Sequence, residues 1–251
     1  TSSKEAGDQF ILACRAYDGL SYSSWMNSSI VTISSYPPSS LIISPIFSVN
    51  LISGSSKNLI VSFNVSNRDE NLNVSSSNLS ISQSGTILSS NNCTLDSTGF
   101  QWSKINCSIA IPYYSPPGTW TAIASIRDNA LNSISNSSSF TINSLDSISV
   151  NVSSIDFGTA SPGQTGVSGS ILSISNLGNT NYNLMEMTAY DLNASTNLLV
   201  ANNFCINDIQ STIGCDYMQN ETAKSISGAS LPINSNSSLY PFVNLPIGLT
   251  Y

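Results

Sequence analysis

Apolar side chains in this chain recur at every second position, over stretch after stretch. In Leu59-Ile60-Val61-Ser62-Phe63-Asn64-Val65, the set Leu59, Val61, Phe63 and Val65 points one way and Ser62 and Asn64 the other. In Ile105-Asn106-Cys107-Ser108-Ile109-Ala110-Ile111, Cys107 shares the apolar row and Asn106 the polar one. Ile148-Ser149-Val150-Asn151-Val152 repeats the pattern, with Asn151 outward. A strand sends successive side chains to opposite faces, whereas a helix repeats every 3.6 residues. The alternation therefore predicts half-buried strands. Runs rich in Val, Ile, Thr, Tyr and Phe are separated by Ser, Asn, Gly and Pro clusters, as short strands with turns require. With 54 Ser and 29 Asn among 251 residues, the composition also disfavours helix. The chain reads as all-β.

Two seams divide it. Pro37-Pro38 breaks any ladder and stiffens a short connection. The second seam lies at Asn143-Ser144-Leu145-Asp146, ahead of the strand at Ile148. The expected pieces are 1–36, 37–145 and 146–251. The last two match the length of a seven-stranded sandwich, about 100 residues. The first holds only two strands, Phe10–Tyr17 and Ser29–Ser34, joined by a loop with Asp18-Gly19. A lone hairpin is marginal, so 1–36 is expected to be the closing hairpin of a truncated domain. Its order of strand, acidic turn, Asn/Ser loop and closing strand recurs at 122–142. In the third piece Tyr240–Gly248 reads as the start of a closing hairpin, so 146–251 is expected to lack its final strand. Such a sandwich exposes a core groove and an unpaired edge. The ends fit a fragment of a longer protein. They also fit strand complementation, in which Phe10–Ser34 completes the third domain of a neighbouring copy.

Five cysteines occur, with no C-x-x-C pair for zinc. Cys93 with Cys107, and Cys205 with Cys215, are spaced to staple single hairpins, which leaves Cys14 over. Sequons of the form Asn-x-Ser/Thr fall at Asn27, Asn64, Asn73, Asn78, Asn92, Asn106, Asn136, Asn151, Asn193, Asn220 and Asn236. Composition alone yields about eight of them, so their placement matters more than their number. Asn64, Asn106 and Asn151 fall on the polar rows and Cys107 on an apolar one. A glycan needs the solvent face and a disulfide favours the core face. The expectation is a glycosylated, disulfide-stapled protein in an oxidising, extracellular setting.

The chain contains no His. That removes the Ser-His-Asp and Cys-His nucleophile systems and His-ligated zinc. A formal charge of −7 with only seven Lys and Arg disfavours a nucleic-acid partner. No run of 18 apolar residues is present, so no membrane span is expected within this segment. Glycosidase chemistry needs a pair of carboxyls. The candidates Asp69-Glu70, Glu186 and Asp191 sit at turns and strand ends with no sign of a shared pocket. Calcium is the one cofactor with any footing, at Asp128, Asn129 and Asn132 or at Asp69-Glu70-Asn71. Asx turns account for the same residues. Trp120 joins Ala122, Ala124 and Ile126 in a core stripe, whereas Trp25 sits in a loop. An isopeptide bond through Lys57 or Lys104 has the residue types but no distinguishing signal. No catalytic residue is expected.

Pro116-Pro117-Gly118-Thr119-Trp120-Thr121-Ala122-Ile123, followed by Arg127-Asp128-Asn129-Ala130-Leu131-Asn132, resembles the late strands of bacterial- and archaeal-type Ig-like domains. Ala16-Tyr17-Asp18-Gly19 with Trp25-Met26-Asn27-Ser28-Ser29 is similar. Ile155-Asp156-Phe157-Gly158-Thr159 with Ser161-Pro162-Gly163, then Ser175-Asn176-Leu177-Gly178-Asn179, resembles the opening of a second Ig-like type common in archaeal surface proteins. The sequence departs from the pattern at Leu131, where such turns usually carry Gly. The resemblance implies tandem Ig-like β-sandwich domains in a secreted or cell-surface protein such as an S-layer, adhesin or filament component. The leading reading is a non-catalytic, glycosylated building block of a surface layer or filament. Its partners would be copies of itself or other surface proteins. The alternative is an adhesin or carbohydrate-binding module that uses loop aromatics near Trp25 or Tyr113-Tyr114.

Overall fold

The computed structural model describes residues 8–69, 71–194 and 197–248. Within them the regular structure is all strand apart from one 3-10 turn, Ala201–Asn203. The chain forms two compact units. One gathers the described residues up to Ser48 with Asn58–Ala110 and Thr119–Thr141; the other gathers Val49–Lys57, Ile111–Gly118 and the residues from Ile142 onward.

The first unit opens with four short strands, β1 (Gln9–Phe10), β2 (Ala13–Cys14), β3 (Met26–Asn27) and β4 (Val31–Thr32). β1 pairs with β4 and β2 with β3, and a Tyr17–Tyr22 bridge closes the ribbon near its tip. At the turn Asp18 Oδ1 accepts the N–H groups of Leu20 (2.8 Å) and Ser21 (2.7 Å), and Gly19 takes the left-handed φ of +98°. The Asp18-Gly19 turn is where the sequence put it. The return limb, however, begins at Tyr22 rather than Ser29, because the Asx turn reverses the chain within four residues. The Pro37-Pro38 segment is no free linker either. Pro38 is buried, the Tyr36 N–H donates to Asp69 Oδ2 (2.6 Å), and Ser35 Oγ donates to Asp128 Oδ2 (3.2 Å).

Eight strands follow: β5 (Ser40–Ile43), β6 (Lys57–Ser66), β7 (Leu72–Gln83), β8 (Thr86–Ser90), β9 (Cys93–Gly99), β10 (Trp102–Ile111), β11 (Gly118–Asp128) and β12 (Ser133–Ile142). They make two four-stranded sheets, ordered β5-β6-β10-β9 and β12-β11-β7-β8. Lettered A to G with a C′ strand, that order is ABED and GFCC′, the strand order of the immunoglobulin sandwich. The inward rows are those the alternation predicted. Val61, Phe63 and Val65 on β6, Ile105, Cys107 and Ile109 on β10, and Trp120, Ala122 and Ala124 on β11 are all buried. Burying a side chain of Leu, Ile or Phe size stabilises by about 1.5–3 kcal/mol, so these rows hold the unit together. Cys93 and Cys107 face one another across β9 and β10 and are joined by a disulfide.

The second unit is built on β13 (Ile148–Val150), β14 (Val167–Ser168), β15 (Leu172–Asn176), β16 (Glu186–Thr188), β17 (Leu192–Ala194), β18 (Asn197–Leu199), β19 (Phe204–Asn207), β20 (Asp216–Tyr217), β21 (Ala223–Ser225) and β22 (Asn236–Val243). Six of them form one sheet ordered β13-β15-β22-β19-β20, with β14 also on β22; β16 pairs with β21 and β17 with β18. Leu172, Ile206, Met218, Ile226, Leu231 and Leu239 form its core. A second disulfide joins Cys205 on β19 to Cys215. Asn176 is buried, yet its Nδ2 donates to the carbonyls of Thr180 (2.7 Å), Pro232 (3.1 Å) and Leu231 (3.2 Å), so its burial is offset by bonds. Two residues on, a Cβ at Gly178 would sit 2.0 Å from the Leu145 carbonyl oxygen, which only glycine tolerates.

Tyr240–Val243 ends the long strand β22, in the middle of the sheet. Pro241 is accommodated because the neighbour changes there: β15 pairs as far as Leu239, β14 takes over at Phe242, and the Pro241 carbonyl accepts the Gly169 N–H (2.8 Å). A missing N–H costs little where the ladder changes partner.

Candidate interaction surface

Every residue from Gln9 to Thr32 is exposed. The ribbon is nonetheless rich in apolar side chains, among them Leu12, Leu20, Trp25, Met26 and Val31. At its tip the Arg15 guanidinium lies 3.8 Å above the Tyr22 ring and 4.8 Å above that of Trp25, and the Tyr17 and Tyr22 centroids are 4.6 Å apart. Such stacking fixes the aromatic rims. Cys14, the cysteine left out of both disulfides, is exposed on β2.

The other loop aromatics lie in the second unit. Tyr113 and Tyr114 pack edge to face with centroids 5.2 Å apart, and the Tyr113 hydroxyl donates to Asn234 Oδ1 (2.8 Å). That bond fixes the orientation of the Tyr113 ring. The same unit carries an apolar groove of about 220 Å³, lined by Phe157, Met187, Tyr190, Leu192, Phe204 and Met218.

None of the eleven sequon asparagines is buried. Asn27, Asn64, Asn92, Asn136, Asn151, Asn193, Asn220 and Asn236 are exposed, and Asn73, Asn78 and Asn106 are half-buried. Several amides are engaged. Asn136 Nδ2 donates to the Leu41 carbonyl (2.7 Å), Asn92 Nδ2 to Ser108 Oγ (2.7 Å) and Asn78 Nδ2 to Asn91 Oδ1 (2.6 Å). Asn106 accepts from Ser62 Oγ (2.6 Å) and donates to Asp96 Oδ1 (3.0 Å).

The calcium candidates hold each other. Asp128 is buried, with Oδ1 accepting the Asn132 N–H and Oδ2 accepting Asn132 Nδ2, each at 2.8 Å. The Asn129 N–H donates to the Asn71 carbonyl (3.0 Å). Asp69 Oδ2 is committed to Tyr36, Asn71 Oδ1 accepts from Asn67 Nδ2 (2.7 Å), and Glu70 lies outside the described residues. Among the described residues no three Cys, Asp or Glu side chains gather as a metal cluster would require. The glycosidase candidates are likewise engaged separately. Glu186 Oε1 accepts from Ser225 Oγ (3.1 Å), and Asp191 Oδ1 from the Ala201 N–H (2.6 Å).

Lys104 does meet an acid and an asparagine. Its Nζ lies 3.0 Å from Asp96 Oδ2, and Asn106 Nδ2 donates to the other oxygen. Isopeptide formation needs a protonated acid and a neutral amine. Here the Lys104 hydrogen bond first, then its charge and the Asn106 donor, hold Asp96 below the usual carboxylate range. The Lys104 and Asp96 side chains are 38% and 36% exposed, so they read as a surface ion pair. A second pair joins Lys224 and Asp216 at 3.9 Å.

No protein-family model matches the chain, and no curated protein does. Similar solved structures include the chaperone–tip adhesion subunit pre-assembly complex CsuC–CsuE of archaic chaperone-usher Csu pili from Acinetobacter baumannii, at 15% identity and TM-score 0.34, covering 83% of this chain and 96% of that one. They also include tandem Ig domains of titin, at 12% identity and TM-score 0.26, covering 84% and 83%. The secreted serine protease VesC from Vibrio cholerae follows at 10% identity and TM-score 0.21, covering 84% and 47%. At these scores the Ig-like assignment rests on the strand order of β5–β12.

Proposed function

We propose that this chain is a non-catalytic, extracellular structural protein, a glycosylated building block of a cell-surface layer or filament of the archaeal type. Copies join when the ribbon of one seats in the apolar groove of the second unit of another. The observation that carries this reading is the uncovered ribbon, a two-stranded element with no core of its own and apolar residues on display. Such an element gains its stability by adding to another sheet. The groove offers aromatic and Met side chains that adapt to an incoming apolar strand. Two disulfides and unburied sequons fit an oxidising exterior.

Light scattering and negative-stain imaging of the purified chain test this. Ordered oligomers that dissolve when 9–32 are deleted, or when Tyr190→Arg is placed in the groove, are the expected result. A monodisperse monomer that forms no assemblies on concentration would sink it. The exposed Arg15–Trp25 stack supports the adhesin as a second reading, since aromatic faces bind sugar rings. Retention of that monomer on a glycan column, lost with Trp25→Ala, would select it.

A further inference from the structure

The ribbon has two unlike faces. Ala13 lies opposite Asn27 and Cys14 opposite Met26, so the two pairs point to opposite sides. Arg15 and Trp25 extend the Ala13–Asn27 side, each two residues along its strand. The Arg15 guanidinium, 4.8 Å above the Trp25 ring, shows that they share it. Tyr22, 3.8 Å from the same guanidinium, and its bridge partner Tyr17 complete that side. The other side carries Cys14 and Met26, both exposed.

The aromatic side is arranged around the sequon Asn27-Ser28-Ser29. Asn27 is exposed, with no hydrogen bond from Nδ2 among the described residues. Its cross-strand neighbour is Ala13, whose methyl group leaves the space beside the amide open. Same-face neighbours on a strand lie about 7 Å apart, so a sugar on the Asn27 amide reaches Trp25 by folding back along the strand. Arg15 covers one face of the Trp25 ring, yet the residue stays 59% exposed, so the opposite face is open. The stack also stops the ring from turning, so little side-chain freedom is lost when that face is covered. The negative face of an indole attracts the C–H hydrogens that line one side of a pyranose.

We infer that Asn27 carries an N-linked glycan whose first sugar packs on the open face of Trp25. The inference rests on the reading of the chain as glycosylated, and it gives this sugar a task. It supplies the ribbon with an apolar contact that two strands without a core lack. It also sets the direction of docking. A ribbon whose aromatic side is covered by its own glycan enters a neighbour's groove by the side of Cys14 and Met26.

The test is amide hydrogen exchange across 9–32 in the full chain, kept dilute enough to be monomeric. Protein from a host that N-glycosylates, trimmed to a single N-acetylglucosamine at each site, is compared with protein made without glycosylation. Wild type, Trp25→Ala, Trp25→Tyr and Asn27→Gln are measured. Trp25→Ala also removes the Arg15 stack, so the quantity read is the effect of the sugar within each background. The expected result is exchange slowed about fivefold by the sugar in wild type, less in Trp25→Tyr and not at all in Trp25→Ala. Asn27→Gln abolishes the slowing while the other sequons stay modified, which assigns it to this sugar. Mass spectrometry of the same samples gives the occupancy of Asn27. With Asn27 occupied, no slowing in wild type, or equal slowing in Trp25→Ala, overturns the stacking and leaves the glycosylated reading standing. Asn27 unmodified in protein from its native source overturns the site, and every sequon unmodified there removes the glycosylated reading as well.

Discussion

Asp128 grips Asn132 with both carboxylate oxygens, one on the backbone N–H and one on the side-chain amide, and the Asp128 N–H donates back to the Asn132 carbonyl at 2.9 Å. This locks the connection from β11 to β12. Asp128→Ala is expected to cost about 3 kcal/mol, since hydrogen bonds to a charged group contribute about 1.5–3 each and buried donors are stranded. Asp128→Asn, which keeps one acceptor, costs less. Urea denaturation gives both numbers, and a loss within about 0.5 kcal/mol for the alanine variant refutes the lock.

Within the same turn Leu131 adopts φ +69° with its side chain exposed. A leucine there is strained by about 1 kcal/mol, while glycine is at ease. Leu131→Gly should therefore raise the midpoint slightly, by the equivalent of up to about 0.5 kcal/mol once the freer unfolded chain is counted. A lowered midpoint means the leucine side chain contributes packing that outweighs the strain.

Cys93–Cys107 closes 14 residues and Cys205–Cys215 closes 10. Chain entropy gives each about 3 kcal/mol. The Cys93→Ala/Cys107→Ala and Cys205→Ala/Cys215→Ala pairs are expected to unfold at lower denaturant by that amount. Non-reducing peptide mapping should find both links and leave Cys14 available to a thiol reagent.

Asp96 provides the pH test. Its folded pKa lies below the unfolded value, so the stability it contributes is present above the unfolded pKa and is lost as pH falls through the folded one. Lys104→Met returns Asp96 toward its ordinary 3.8. Wild type and variant should thus differ slightly at neutral pH and converge by about pH 2, where both carry a protonated carboxyl. Because the pair is exposed the gap is small and shrinks with salt. A gap that widens on acidification contradicts the sign.

Glycan occupancy should follow the freedom of the amide nitrogen where attachment comes after folding. Asn27, Asn64, Asn193 and Asn236 are exposed, with no hydrogen bond from Nδ2 among the described residues. Asn136 and Asn92 spend theirs on Leu41 and Ser108. Site-resolved mass spectrometry of the native protein is expected to show high occupancy for the first set and low occupancy for Asn136. Full modification of Asn136 with the edge of β5 intact breaks the correlation.

Alternation distinguishes the wet side of β6, β10 and β11, which is why Phe63, Cys107 and Trp120 are legible as core and Asn64 as surface; it fails on β13, where Ile148 and Val150 are exposed. Both disulfides followed from spacing. Periodicity carries no information on which strand lies next door. Hence the place of β22 and the tolerance of Pro241 became visible only with the sheet order. Ser75-Ser76-Ser77 has no contrast between its faces, so the register shift of β7 against β11, where Asn78 pairs with Ser125 but Asn73 with Arg127, leaves no trace in the pattern. Sequence alone assigns Asp128 to an Asx turn or a cation site, but burial of the carboxylate comes from packing that short motifs do not encode.

The outward rows of the sheets present hydroxyls and carboxamides, and among the described residues only Lys104–Asp96 and Lys224–Asp216 form ion pairs. Very little of the folding free energy is therefore Coulombic. Salt should act on this molecule less by breaking ion pairs than by screening the mutual repulsion of its −7 net charge.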